Sequence, residues 1–201
     1  MYIPAINSTS NREEIIAFMK RFSFAAIVTA KDTAPIATHL PFVVTEREGN
    51  VILTAHFAKA NQHWEDIEKY TSLVIFSEPH AYISPSNYTT EMNVPTWNYI
   101  AVHAYGKGRV IHDAVEVMNV MESTINNYDA LYEQQWNRLL GDYKVKMLKG
   151  IVAFEIVVAD LQAKKKLSQN RTETEQQKII YTLSKSNTTN EHLIADFMKG
   201  N

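Results

Sequence analysis

Six of the seven histidines, His39, His56, His63, His80, His103 and His112, fall between residues 39 and 112 of a 201-residue chain. Imidazoles gathered in one stretch can bind a metal, meet an anion or move a proton. The local pattern says more about two of them. Glu46-Arg47-Glu48-Gly49 reads as a hairpin loop, with Gly49 supplying the positive φ that such loops need. If Thr45 and Asn50 close that loop, the same register sets His39 opposite His56, with Cβ atoms about 4.5–5.5 Å apart on one face. Such a pair could meet a metal or an anionic ligand, or could be two hydrogen-bonded histidines at a barrel rim. A metal is disfavoured, because neither strand has a carboxylate in its central stretch and no HxH or HExxH spacing occurs.

Three further stretches carry chemistry-bearing residues. In Thr54-Ala55-His56-Phe57-Ala58-Lys59-Ala60-Asn61 a strand ends among small residues, with Lys59 and Asn61 just before a predicted helix. Unpaired helix amides and a lysine charge together suit a phosphate, whereas a plain Asn61 cap beside a solvated Lys59 is the simpler alternative. Val94-Pro95-Thr96-Trp97-Asn98-Tyr99, with Pro79-His80-Ala81-Tyr82-Ile83-Ser84-Pro85 upstream, places aromatics next to prolines. Such residues can wall a flat ring system or simply plug a barrel end. The basic run Lys164-Lys165-Lys166-Leu167-Ser168-Gln169-Asn170-Arg171 leaves the last predicted strand. It is either a solvated connection or a second source of phosphate-directed charge, through Lys166 or Arg171.

Side-chain catalysis finds little support. With no cysteine there are no thiolate nucleophiles, no disulfides and no Cys-held zinc or iron–sulfur cluster. GxSxG, P-loop and GxGxxG motifs are all missing, so no catalytic side chain is assigned. An enzyme of this composition would take its reactive atoms from a bound cofactor. A formal net charge of -2, from 20 Lys+Arg against 22 Asp+Glu, gives no support to strong non-specific DNA binding. No stretch resembles a signal peptide or a membrane span, which makes a cytoplasmic protein the expectation.

The elements that position these residues follow from periodicity and capping. Ser10 with Glu13 has capping-box spacing, and Ile15, Ile16, Met19 and Phe22 recur as on one helix face, predicting a helix over 11–21. Strands are predicted over 24–30, 35–45, 51–57, 72–77, 96–111 and 150–162, with a turn at 31–34 and a bend at Gly106 and Gly108. Helices are predicted over 60–69, from Asp113 to about 127, over 173–184 behind Thr172 and Glu175, and near 191–198, with a polar helical stretch around Trp136. Six strands with few intervening helices do not alternate as βαβ units. The class is α+β, a mainly antiparallel barrel with helices outside.

Taken in order, Thr38-His39-Leu40-Pro41-Phe42, His56–Trp64, Pro79–Pro85, Val94–Tyr99 with Val102-His103, and Lys166–Arg171 resemble the PaiB family, described as FMN-binding negative transcriptional regulators. The resemblance covers nearly the whole chain. It implies a split β-barrel related to pyridoxamine-phosphate-oxidase-like flavoproteins, paired as a homodimer with FMN at the subunit interface. It also implies a division into an FMN-binding barrel domain, 1–166, and a C-terminal helical extension, 167–201, packed on the barrel or on the partner subunit. Carried onto this chain, Thr38, His39, Leu40, His56, Ala58, Lys59 and Asn61 would surround the phosphate and ribityl chain. Ser84 and Trp97 would lie near the ring or the opposite subunit, and Lys166 and Arg171 would close the phosphate side. Lys59 stands where the family usually has Arg, which keeps the charge but loses the bidentate fork.

Three functions are compatible with this reading. The first is a flavin reductase or flavin-dependent oxidoreductase using NAD(P)H. The second is a regulator without turnover, whose one candidate DNA element is the C-terminal helix pair; Glu191 and Asp196 make its second helix a poor recognition helix. The third is a sensor of a planar cofactor, with haem ligation by His39, His56 or His103 as the variant.

Overall fold

The computed structural model describes residues 1–31 and 34–200, so the turn expected at 31–34 lies partly outside the described residues. The strands are β1 (Phe24–Lys31), β2 (Ala34–Pro41), β3 (Val43–Arg47), β4 (Asn50–Ala58), β5 (Thr71–Phe76), β6 (His80–Ile83), β7 (Thr96–Val110), β8 (Ile151–Val157) and β9 (Asp160–Lys166). The α-helices are α1 (Arg12–Arg21), α2 (Ala114–Tyr128), α3 (Glu133–Arg138), α4 (Gly141–Leu148), α5 (Glu173–Ser184) and α6 (Thr189–Lys199). They divide into a larger unit, residues 16–76 and 104–161, and a smaller one, residues 1–15, 77–103 and 162–201. Strand β7 gives its second half to the larger unit and its first half to the smaller.

In the larger unit the strand order is β2-β1-β5-β7-β8-β4-β3. Its core is aromatic. Phe57 stacks on Phe154 with centroids 4.8 Å apart, and Phe42 meets Phe76 and Phe154 edge-on at 6.1 and 6.2 Å. All four rings are fully buried, each contributing about 1.5–3 kcal/mol of transfer free energy. Close packing also explains the two glycines of β7, where a bend was expected. A Cβ on Gly106 would sit 2.4 Å from the Val157 carbonyl oxygen, and one on Gly108 would sit 2.8 Å from the Ile67 side chain.

Five expectations change here. The strand predicted over 35–45 is two strands, β2 and β3, because the chain changes partners at buried Phe42, whose amide donates to the Ser23 carbonyl at 2.9 Å. The β3–β4 loop is two residues, not four: Glu48 and Gly49 both take positive φ, 52° and 78°, and Arg47 faces Asn50. That pattern fits a type I′ turn, whose twist matches a tight hairpin. The predicted His39–His56 pair is thereby undone. His39 lies opposite Ala26 on β1, and His56 opposite Ala153 on β8. The helix predicted over 60–69 is only a 3-10 turn, Gln62–Glu65, closed by the Asp66 amide donating three residues back to the His63 carbonyl at 3.2 Å. Finally, 150–162 is broken between β8 and β9, where Val158 donates to Val51 and Ala159 to Tyr105.

In the smaller unit β6 pairs with the start of β7, His80 opposite Tyr99 and Tyr82 opposite Trp97, and β9 also pairs with β7. Helix α5 begins with the expected capping box, Thr172 and Glu175 each bonding the other's backbone amide. It packs with α6 through buried Ile179, Leu183, Ile194 and Met198. The class is the α+β arrangement expected from the sequence, a mainly antiparallel sheet with peripheral helices and a helical C-terminal part. No described helix is long and apolar enough to cross a membrane.

Candidate functional site

The larger unit gathers polar side chains where β2 ends and β4 runs into the 3-10 turn. Asn61 caps that turn, its Oδ1 accepting from the His63 amide at 3.1 Å, as its place in the sequence foretold. Its Nδ2 donates to Thr38 Oγ1 at 3.1 Å. Thr38 Oγ1 in turn lies 2.9 Å from Nδ1 of His63, whose Nε2 lies 2.9 Å from Thr29 Oγ1, and Thr29 Oγ1 is 2.6 Å from Ser72 Oγ. Five side chains from β1, β2, β5 and the turn thus form one hydrogen-bonded chain.

His63 is its hub and is only 1% exposed. Its ring also packs on Phe57, centroids 5.3 Å apart. Burial pushes its pKa below the ordinary histidine value, opposed by the charge of Asp66, so the neutral ring is favoured. A neutral imidazole donates from one nitrogen and accepts at the other. If Nδ1 donates, Thr38 accepts from both His63 and Asn61, and its own hydroxyl hydrogen is free to point at a ligand. If Nδ1 accepts, Thr38 spends that hydrogen on the ring. The tautomer of His63 therefore sets what Thr38 can offer.

Around this cluster the expected site residues take different positions. Lys59 is exposed, and its ammonium has no carboxylate partner among the described residues. Its backbone is fixed on both sides: the amide donates to Gly150 at 2.8 Å and the carbonyl accepts from Trp64 Nε1 at 3.2 Å. Ala58 is exposed and its carbonyl accepts from the Asn61 amide, while Leu40 is buried. His39 is exposed and stacks on Phe24, centroids 6.2 Å apart. His56 is half-buried on β4, and burial lowers its pKa.

The smaller unit holds the other four. Trp97 is 51% exposed and stands edge-on to His80 and Tyr82, at 5.5 and 5.9 Å, so three aromatic rings share one open face of β6 and β7. Lys166 is brought to Trp97: its ammonium donates to the Trp97 carbonyl at 2.7 Å and to Thr96 Oγ1. Burial, and then the charge of Lys164, lower its pKa. Arg171 lies 3.7 Å over the Tyr88 ring and donates to Asn93 Oδ1 at 2.8 Å. Ser84 caps a 3-10 turn, accepting from the Ser86 amide. Among the described residues no group of three or more His, Cys, Asp or Glu is placed to hold a metal.

The groups of the larger unit fit the phosphate of a cofactor: an unpaired ammonium, a hydroxyl and an amide sit on a buried scaffold. The smaller unit, taken by itself, has an open aromatic face. Comparison with known proteins gives the same answer. Residues 1–160 match the family described as "Putative FMN-binding domain". The "Protease synthase and sporulation protein PAI 2" of Bacillus subtilis is 40% identical over 204 residues, covering 99% of this chain and 97% of that protein.

The chain belongs to the PaiB family.

An uncharacterized Emericella nidulans protein is 27% identical over 90% of the chain and 89% of its own length. Among solved structures, a flavocytochrome of Azotobacter vinelandii superposes with a TM-score of 0.61 at 17% identity, covering 82% of this chain and 69% of that one. A FAD- and heme-binding protein of Mycobacterium smegmatis gives 0.60 at 15% identity, with 80% and 73% covered. At those identities the likeness is one of fold, the split barrel of flavoproteins. FMN is the cofactor that PaiB-family membership assigns to the chain. Sequence reasoning missed His63, Thr29 and Ser72 as parts of the site. The signal for His63 was its place two residues after a capping Asn61, but its partners are distant in sequence.

Proposed function

We propose that this PaiB-family chain is a homodimeric flavoprotein acting as a flavin reductase or flavin-dependent oxidoreductase with NAD(P)H as donor, working in the cytoplasm. The observation that carries the reading is the free ammonium of Lys59, two residues before Asn61 of the Thr38–Asn61–His63 cluster. Bound FMN supplies the two-electron redox chemistry that this cysteine-free chain has no side chain to perform. Lys59 pairs with the phosphate, and Thr38 and Asn61 orient its oxygens and the ribityl hydroxyls. In the smaller unit the exposed Trp97 ring, with His80 and Tyr82 edge-on to it, is an aromatic surface in its own right.

A dimer is supported by β2. It ends the strand path, yet all its residues from Ala34 to Ala37 are exposed, with Ile36 at 40% and neighbouring Phe24 at 68%. A bare edge of that kind invites pairing with another chain. The same reading has the FMN site at the subunit interface, with His39 close to it. Placing the barrel domain in 1–166 and a helical extension in 167–201 belongs to the same reading.

A regulator without turnover is the second reading, favoured by the sporulation name of the Bacillus subtilis relative. Direct DNA contact through α6 is opposed by its acids Glu191 and Asp196 and by the burial of Ile194, Ala195 and Met198. The test is the visible spectrum of purified protein after addition of FMN and desalting, followed by NADH. Retained flavin bands that NADH bleaches are the expected result. Retained flavin that NADH leaves oxidised moves the assignment to the regulator, and a protein that neither keeps flavin nor quenches FMN fluorescence on titration overturns both readings.

A further inference from the structure

The larger unit contains a cavity of ≈ 370 Å³ whose walls come from α2, α4, β8 and the end of β7. Met118, Leu148 and Val152 give it an apolar interior, and Lys59, Lys149 and His112 are its polar lining. That volume and that mix, mostly apolar with a few convergent polar groups, are those of a small-molecule site. The charge is one-sided. No Asp or Glu lines the cavity among the described residues, and the ammonium of Lys149 has no carboxylate partner.

Three acids near the walls in sequence are engaged elsewhere. Asp113 accepts from the amides of Val115 and Glu116 at 2.9 Å, capping α2. Glu116 pairs with Arg109 at 3.4 Å, and Glu68 accepts from the Val110 amide at 2.8 Å. Among the described residues neither Lys59 nor Lys149 has a carboxylate partner, so the positive lining has no ion pair within the cavity. It is also held in place, since the Lys59 amide is bonded to the carbonyl of Gly150, the residue after Lys149.

We propose that this cavity binds an amphiphilic monocarboxylate, its apolar body between α2 and β8 and its carboxylate on Lys149. The ligand is separate from the flavin, although Lys59 borders both sites. An apolar chain is drawn in by the walls, and a single anionic group answers the unpaired cation. A neutral analogue keeps the first contribution and loses the second.

Calorimetric titration of the full chain saturated with FMN, using decanoate and then 1-decanol as probes, tests this. One decanoate per chain is expected, with decanol at least about tenfold weaker. Lys149→Met should weaken decanoate about tenfold and leave decanol unchanged. Met118→Trp, which fills the cavity, should abolish both. Lys149 is exposed, so its variant decides the matter even if Met118→Trp fails to fold. Equal affinities for decanoate and decanol, or an unaltered decanoate affinity in Lys149→Met, would overturn the proposal. Decanoate that binds only when FMN is withheld would also overturn it, by making the cavity part of the flavin site. The failure of the flavin reading shows instead as a protein that cannot be saturated with FMN, and decanoate binding to that protein leaves the cavity assignment standing.

Discussion

The two units offer cations to a ligand in opposite ways. In the larger unit the neutral polar groups satisfy one another, Ser72 through Thr29, His63 and Thr38 to Asn61, and the cation Lys59 is left over. In the smaller unit the cations themselves are engaged: Lys166 on Thr96 and the Trp97 carbonyl, Arg171 on Asn93 and the Tyr88 ring. The aromatic face of His80, Tyr82 and Trp97 remains open there. A free charge on a fixed backbone can answer a phosphate without first breaking an internal bond. An engaged one must exchange partners, which offsets much of what it gains. The larger unit thus keeps a cation available, whereas the smaller one has Lys166 and Arg171 already engaged.

Substitutions can break that contrast. Lys59→Glu should show the largest effect, weakening FMN about a thousandfold, or ~4 kcal/mol, through a lost charge-assisted bond and a new repulsion. Fluorescence quenching of FMN on titration with protein measures it. His63→Leu comes next. It strips partners from Thr29 and Thr38 and should cost about 3 kcal/mol of stability in urea unfolding, with His63→Gln recovering part. Unchanged stability in His63→Leu would mean the hydroxyls find other partners. Arg171→Ala should be milder, about 1 kcal/mol of stability from the lost stacking and less than about a tenfold change in FMN affinity. If Arg171→Ala matched Lys59→Glu in flavin affinity, the contrast between the units would be lost.

Acid sharpens the same contrast. His56, His63 and His103 all have folded pKa values below the ordinary one, because burial disfavours their charged forms. The unfolded chain therefore takes up protons that the native state refuses. The stability they contribute is full above about pH 6.5 and declines as pH falls below it, by at most about 1.4 kcal/mol per pH unit for each group. Thermal unfolding at pH 7.5 and 5.5 should show this loss, and His63→Gln should make it shallower. An equal loss in that variant would assign the effect to the other histidines.

Several local caps were legible in the sequence, although Asn11 and not Ser10 caps the first helix, its Oδ1 accepting from the Glu14 amide at 3.2 Å; long-range choices were not legible. The caps at Asp113 and Thr172 and the turn cap at Asn61 depend on residues two or three positions apart, and each stands as read. The break between β2 and β3 depends on Phe42 reaching back to Ser23, and it moved His39 away from His56. A loop of two residues instead of four then reset the hairpin register. Lys59 and Asn61 could be picked out because they share one short segment. His63 could not, since its meaning comes from Thr38 on β2 and Thr29 on β1, and no spacing within its own segment reveals them.

The central claim is that the flavin phosphate is held by Lys59, and the ratio of FMN to riboflavin affinity measures it most directly, because the two ligands differ only in that phosphate. The account predicts that the native protein prefers FMN by about a hundredfold or more and that Lys59→Met brings the two affinities close together. A preference for FMN that survives intact in Lys59→Met would contradict it.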